Sequence, residues 1–293
     1  MEHTEQRQSE SAADVESTNA TPCPSCGTAN ERTGALSFVY ALGRIEPRFP
    51  QLSVEKEFAQ VSARTEGNGQ TDRQMLHDVL SKPENRYLVR KLCWVLTIEG
   101  LETYILAPRD AADFQLLVDA VRATSSPMDL DAVIGIRGPI AAPELCNGLM
   151  VPIVAFDQIY SFDRDSLLKA LPAPKRKKDS DEQFSAAASE LFDRIMLMAD
   201  NAGATDEHRA LNYLALRYPA IYHTAADMFE KNASLSAVEV RPSSLSGTRR
   251  IVDVVFTYTN RATDVADKYF CRVDVTEEFP FLVTKLSPYY DRL

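Results

Sequence analysis

Residues 172–182, PAPKRKKDSDE, constrain the fold most. Two prolines, the four cations Lys175, Arg176, Lys177 and Lys178, and then acids offer no apolar face, so the stretch reads as a solvated linker. It leaves 23–171 and 183–293 as the two foldable parts. Residues 1–22, rich in Glu, Ser, Thr and Ala without periodicity, read as a disordered acidic tail. The 293 residues, 45% hydrophobic and 25% charged, suffice for one large domain or two ordinary ones.

The first part mixes element types. Ser37–Leu42 reads as a strand, and Ser53 can cap a helix carrying Val54, Phe58 and Val61. Thr71 starts a second helix with Met75, Val79 and Leu80. Lys91–Ile98 and Thr103–Leu106 read as strands, and Glu99-Gly100 between them suits a hairpin turn. Asp110 opens a helix with Phe114, Leu117, Val118 and Val121. Further extended segments follow at Ile134–Arg137 and Val151–Phe156, then a short helix from Asp165 to Leu171.

The second part separates its elements. Phe184, Ala188, Leu191, Ile195 and Met198 form a helical stripe that stops at Asn201-Ala202-Gly203. Thr205 caps the next helix, with Asp206 and Glu207 near its positive end. Pro219 suits the first turn of a third helix, running to about Lys231. Strands follow at Leu235–Arg241, Arg249–Tyr258, Lys268–Thr276 and Phe281–Leu286. Three helices followed by an antiparallel meander make an α+β fold.

Cys23-Pro-Ser-Cys26-Gly27 suits a tight zinc knuckle, because proline stiffens the turn and glycine lets backbone amides point at sulfur. A redox dithiol or inert thiols are the alternatives. Cys271 alternates with Tyr269, Val273 and Val275 and fits a core. Cys146 lies in a turn that can expose sulfur, and Cys93 alternates with Val95 and Thr97, opposite Leu92, Trp94 and Leu96. The expected metal set is therefore Cys23, Cys26, Cys93 and Cys146, a closed and structural zinc site.

A formal net charge of -10 argues against a broad nucleic-acid surface. No apolar run reaches the roughly 18 residues of a membrane span, and the polar N-terminus is unlike a signal peptide. A cytoplasmic protein is expected, and with it five cysteines kept out of disulfides.

Several long strings resemble a known family. They are FVYALGRIEPRFP from Phe38 to Pro50, VEKEFAQ from Val54 to Gln60, and NGLMVPIVAFD from Asn147 to Asp157. In the second part they are MLMADNAGATDEHRALNY from Met196 to Tyr213 and DVTEEFPFLVTKLSPYYD from Asp274 to Asp291. These look like the C-terminal domain of unknown function of PatG-type cyanobactin maturation proteases. In that family the module follows a subtilisin-like protease that cleaves and macrocyclises a ribosomal precursor peptide. The resemblance does not carry the protease over. The histidines are His3, His77, His208 and His223, and no Gly-Thr-Ser nucleophile turn accompanies them.

Other candidate chemistry is weaker. Ser53-x-x-Lys56 matches one motif of penicillin-recognising enzymes but lacks its companions, so a helix cap is the better reading. Glu46, Glu55 and Glu57 form an acidic cluster that fits a solvated face. His208 lacks an identifiable partner. Phe279 and Phe281, in a turn after Glu277-Glu278, are the candidate peptide-binding residues, although Phe281 fits closure of the core somewhat better. The sequence thus points to a non-catalytic accessory or recognition module in ribosomal peptide maturation, binding a precursor peptide or a maturation enzyme. The alternative is an enzyme modifying that peptide with Glu55, Glu57 and His208. No nucleic-acid or membrane partner is expected, and a homodimer is compatible with the sequence.

Overall fold

The structure is a computed structural model that describes residues 36–63, 70–171, 180–198 and 200–290. The acidic tail, Cys23 and Cys26, and most of the linker lie outside these residues. The first half contains β1 (Ser37–Arg48), α1 (Leu52–Ser62), α2 (Asp72–Leu80), α3 (Arg86–Lys91), β2 (Cys93–Ile98) and β3 (Leu101–Pro108). It continues with α4 (Phe114–Ala120), β4 (Asp129–Ile140), β5 (Pro152–Asp163) and α5 (Arg164–Ala170). Its strands close into a barrel in the order β1-β2-β3-β5-β4, with β3 and β5 the parallel pair. This order, with α4 between β3 and β4, is that of a five-stranded Greek-key barrel of OB type.

Closure explains the strand sequences. Val39, Ala41 and Ile45 of β1 point into the barrel with Trp94, Leu96, Leu106, Val133 and Phe156. Phe38, Tyr40 and Leu42 of the same strand are also buried. A strand covered on both faces reads as a continuous apolar run rather than an alternation. Residues Glu99 (φ 50) and Gly100 (φ 81) make the expected tight hairpin, whose left-handed positions follow the twist of the strands. Helices α2 to α4 add Val79, Leu80, Leu88, Val89, Leu117 and Val118 to the same core. The Trp94 indole donates to the Val89 carbonyl at 3.0 Å.

Two caps differ from one another. Thr71 accepts from the Gln74 amide while the Gln74 side chain accepts from the Thr71 amide, so the expected start of α2 is a full capping box. The expected cap at Ser53 is corrected: the cap position is Gln51, two residues earlier, and Ser53 sits inside the first turn.

The second half contains α6 (Ser180–Met196), α7 (Asp206–Arg217), α8 (Ala220–Glu230), β6 (Ala233–Pro242), β7 (Ile251–Asn260), β8 (Ala266–Asp274) and β9 (Phe281–Pro288). Helix α6 starts inside the stretch read as linker. The sheet order is β6-β7-β8-β9, antiparallel throughout, so the three helices and the meander follow the expected α+β order. One sheet face buries Val254, Phe256, Tyr258, Cys271 and Val273 against Leu191, Ile195, Leu211, Leu214 and Tyr222. Cys271 is in the core as read, and burial pushes its thiol up to about 12. No helix among the described residues is long and apolar enough to cross a membrane.

Residues 36–293 form one compact unit, and specific bonds join the barrel to the second half. The Tyr40 amide donates to the Gly203 carbonyl at 2.8 Å, and the Asn212 side chain donates to the Tyr40 carbonyl at 2.8 Å. Asn212 and Asn201 also exchange side-chain hydrogen bonds of 2.8 and 3.1 Å. The Tyr104 hydroxyl reaches the Ala202 carbonyl at 2.9 Å. Gly203 has φ +69, and a Cβ there would lie 2.4 Å from the Tyr40 carbonyl oxygen. The Asn201-Ala202-Gly203 segment therefore does more than end a helix: it docks the second half on β1.

Candidate peptide-binding site

The turn between β8 and β9 carries the aromatic pair. It is held from below by Arg209 of α7, only 1% exposed. Its guanidinium donates to the carbonyls of Val275 at 2.7 Å, of Glu277, and of Glu278 at 3.3 Å. Burial pulls the Arg209 pKa down to about 10, and Asp206, 3.7 Å away, opposes that pull. Asp206 also pairs with Arg250 at 3.1 Å, and Arg250 donates to the Thr276 carbonyl at 3.0 Å. From the barrel side, Arg109 meets Glu278 at 2.9 Å. A turn fixed this firmly presents its side chains in a defined place. Phe279 is 44% and Phe281 42% exposed, so Phe281 does not close the core.

Strand β9 continues the exposed row with Val283 and Lys285, while Leu282 and Leu286 turn toward the helices. It pairs with β8 on one side, and no described strand pairs with its other edge. One point of that edge is closed, where the Leu286 amide donates to the Tyr218 hydroxyl at 2.9 Å. Cations stand over rings nearby: Arg249 lies 5.0 Å from the Phe281 centroid, Arg272 5.0 Å from Phe270, and Arg241 5.0 Å from Tyr289. Apolar rings, guanidinium groups and an open strand edge thus occur together, a combination suited to an extended peptide.

The sequence reading missed Arg209. The available signal was a pair of polar residues at helical spacing: Arg209 and Asn212, three apart on α7, are both buried among apolar neighbours.

The cysteines require a correction. Cys93 and Cys146, read as reduced thiols, are joined in a disulfide with Cα atoms 5.6 Å apart. The outward face of β2 presents Cys93, and the segment between β4 and β5 folds back over that face. The Ala141 amide donates to the Val151 carbonyl at 2.9 Å, and Gly148 to Pro143 at 2.7 Å. Cys146 is fully buried rather than exposed in its turn, in a cluster with Val95, Ile105 and Ala141. This covers the β2–β3 face that OB-type barrels use for ligands. As a bridge the pair offers no thiolate to a metal. No group of three or more metal-ligating side chains forms among the described residues.

The alternative catalytic residues are not joined. Glu57 pairs with Lys91 at 2.8 Å, and Glu55 lies exposed on α1. His208 lies on α7, its buried Nδ1 without a partner among the described residues. Burial holds its pKa below the usual value, with Glu207 and Asp200 opposing.

Comparisons with known proteins agree with the family resemblance. Residues 178–289 match the family described as PatG C-terminal. A solved structure described as the PatG domain of unknown function matches with a TM-score of 0.70 at 21% identity, covering 86% of this chain and 98% of that chain. That cover reaches far beyond 178–289, so the shared fold takes in the barrel. No curated protein matches the chain in sequence.

Proposed function

We propose that this chain is a non-catalytic recognition module of cyanobactin-type peptide maturation, which takes an extended precursor peptide along the free edge of β9. The observation that carries the reading is the exposed row Phe279, Phe281 and Val283 beside a strand edge that, among the described residues, is closed at Leu286 alone. Backbone hydrogen bonds would supply affinity, and the rings with Arg249 would select side chains. The match of residues 178–289 to the PatG C-terminal family supports the choice of pathway. Titration of the full chain with a short precursor peptide encoded beside its gene tests the reading. The double variant Phe279→Ala/Phe281→Ala should weaken binding about 10- to 100-fold, as for aromatic anchors. Unchanged affinity, or no binding at millimolar peptide, would leave a scaffold for a partner enzyme. Structural zinc is a separate proposal for the protein in its reduced state.

A further inference from the structure

A cleft of different chemistry lies beside the barrel. Helices α2 and α3 and the 3-10 turn Ala111–Asp113 that leads into α4 enclose about 220 Å³. Its floor is apolar: Leu80, Val89 and Val118 are buried, and Phe114 is half-buried among them. Its rim carries Arg86 and Arg90, both exposed. They stand one turn apart on α3 and so project on the same side. Neither side chain makes a hydrogen bond or ion pair with any described residue. Arg48, Lys91, Arg109 and Arg122 of the same half each have a carboxylate partner, so Arg86 and Arg90 differ from them in facing the cleft with their charge uncompensated by a described residue.

We propose that this cleft binds the C-terminal residue of a peptide whose last side chain is large and apolar. The two guanidinium groups take the terminal carboxylate, for which their planar donors are matched. The floor takes the side chain. Size favours one residue over a cofactor, because drug-sized sites occupy roughly 300–1,000 Å³. Chemistry favours a carboxylate with an apolar attachment over inorganic phosphate, which would gain nothing from Val89, Phe114 and Val118. The site shares no residue with the β9 edge, so either reading can fail alone.

The test titrates the full chain with an N-acetylated peptide, Ala-Gly-Ser-Gly-Phe, as the free acid and as the C-terminal amide, and with inorganic phosphate, followed by amide chemical shifts. The acid should bind at least about tenfold tighter than the amide, with shifts confined to α2, α3 and α4. Arg86→Gln and Arg90→Gln should each weaken the acid by about fivefold, as for solvent-exposed charge pairs. Phe114→Ala should weaken the peptide acid without changing any response to phosphate. Equal binding of acid and amide, or no binding at millimolar peptide, would overturn the proposal. Phosphate binding as tight as the peptide acid would reduce the site to an anion contact and overturn it as well. Shifts on β9 instead of α3 would assign the peptide to the other surface.

Discussion

The barrel and the four-stranded sheet solve the same problem in opposite ways. The barrel closes, which removes its strand edges, and the segment from Ala141 to Val151 seals its outer β2–β3 face beneath the Cys93–Cys146 bridge. The sheet stays open. Helices α6, α7 and α8 cover one face, and the other carries rings and arginines. Each edge is met at one point by a side chain: Arg194 donates to the Leu235 carbonyl of β6 at 3.2 Å, and the Leu286 amide of β9 donates to the Tyr218 hydroxyl at 2.9 Å. The closed half leaves a cleft between attached helices, and the open half leaves an edge.

The comparison breaks first if the halves unfold independently. Trp94→Ala removes a ring that is 1% exposed from the barrel core and should cost about 3–5 kcal/mol. The denaturant midpoint should fall as one transition followed equally by probes in the barrel and in the sheet. A second transition retained by the sheet would mean that the bonds of Asn212 and Gly203 to β1 do not couple them.

Next in size is the bridge. Cys93 and Cys146 are separated by 53 residues in sequence, and the double change to Ser should cost about 2–4 kcal/mol. In denaturant without reductant, Cys271 should react with a thiol reagent and the bridged pair should not. Reaction of Cys93 and Cys146 as well, with stoichiometric zinc, would favour the metal expectation over the bridge. Smaller again is the seam: Gly203→Ala forces a Cβ against the β1 backbone and should cost about 1–3 kcal/mol.

The smallest effect is a pH dependence. His208 is held below its ordinary pKa by burial, so the unfolded chain binds its proton more readily than the folded one. Stability contributed by neutral His208 is therefore present above the ordinary histidine pKa of 6.5 and is lost as pH falls toward the folded value. His208→Gln should flatten that part of the stability profile, measured by denaturant melts between neutral and mildly acidic pH.

How far the sequence could be read follows from the range of each interaction. The second half was legible nearly element by element, because its stripes, the Thr205 cap and the alternation in its strands are local signals. In β1 the strand continues past Leu42 to Arg48. Gly43 does not end it: a Cβ there would lie 2.5 Å from the Thr97 carbonyl oxygen, so the glycine admits the neighbouring strand. Barrel closure and the parallel β3–β5 pair depend on distant segments and left no local mark. The bridge was missed for the same reason, although the sequence did group Cys93 with Cys146. The exposure of Phe279 and Phe281 follows from their place at a turn, a local signal, whereas the burial of Arg209 beneath them depends on carbonyls of a distant segment.

The most direct test of the central claim is amide exchange on the full chain with and without the precursor peptide. The account predicts added protection concentrated at Phe281–Lys285, the part of β9 whose outer edge is open. Protection spread evenly over the barrel and sheet, or confined to other segments, would contradict peptide addition at that edge.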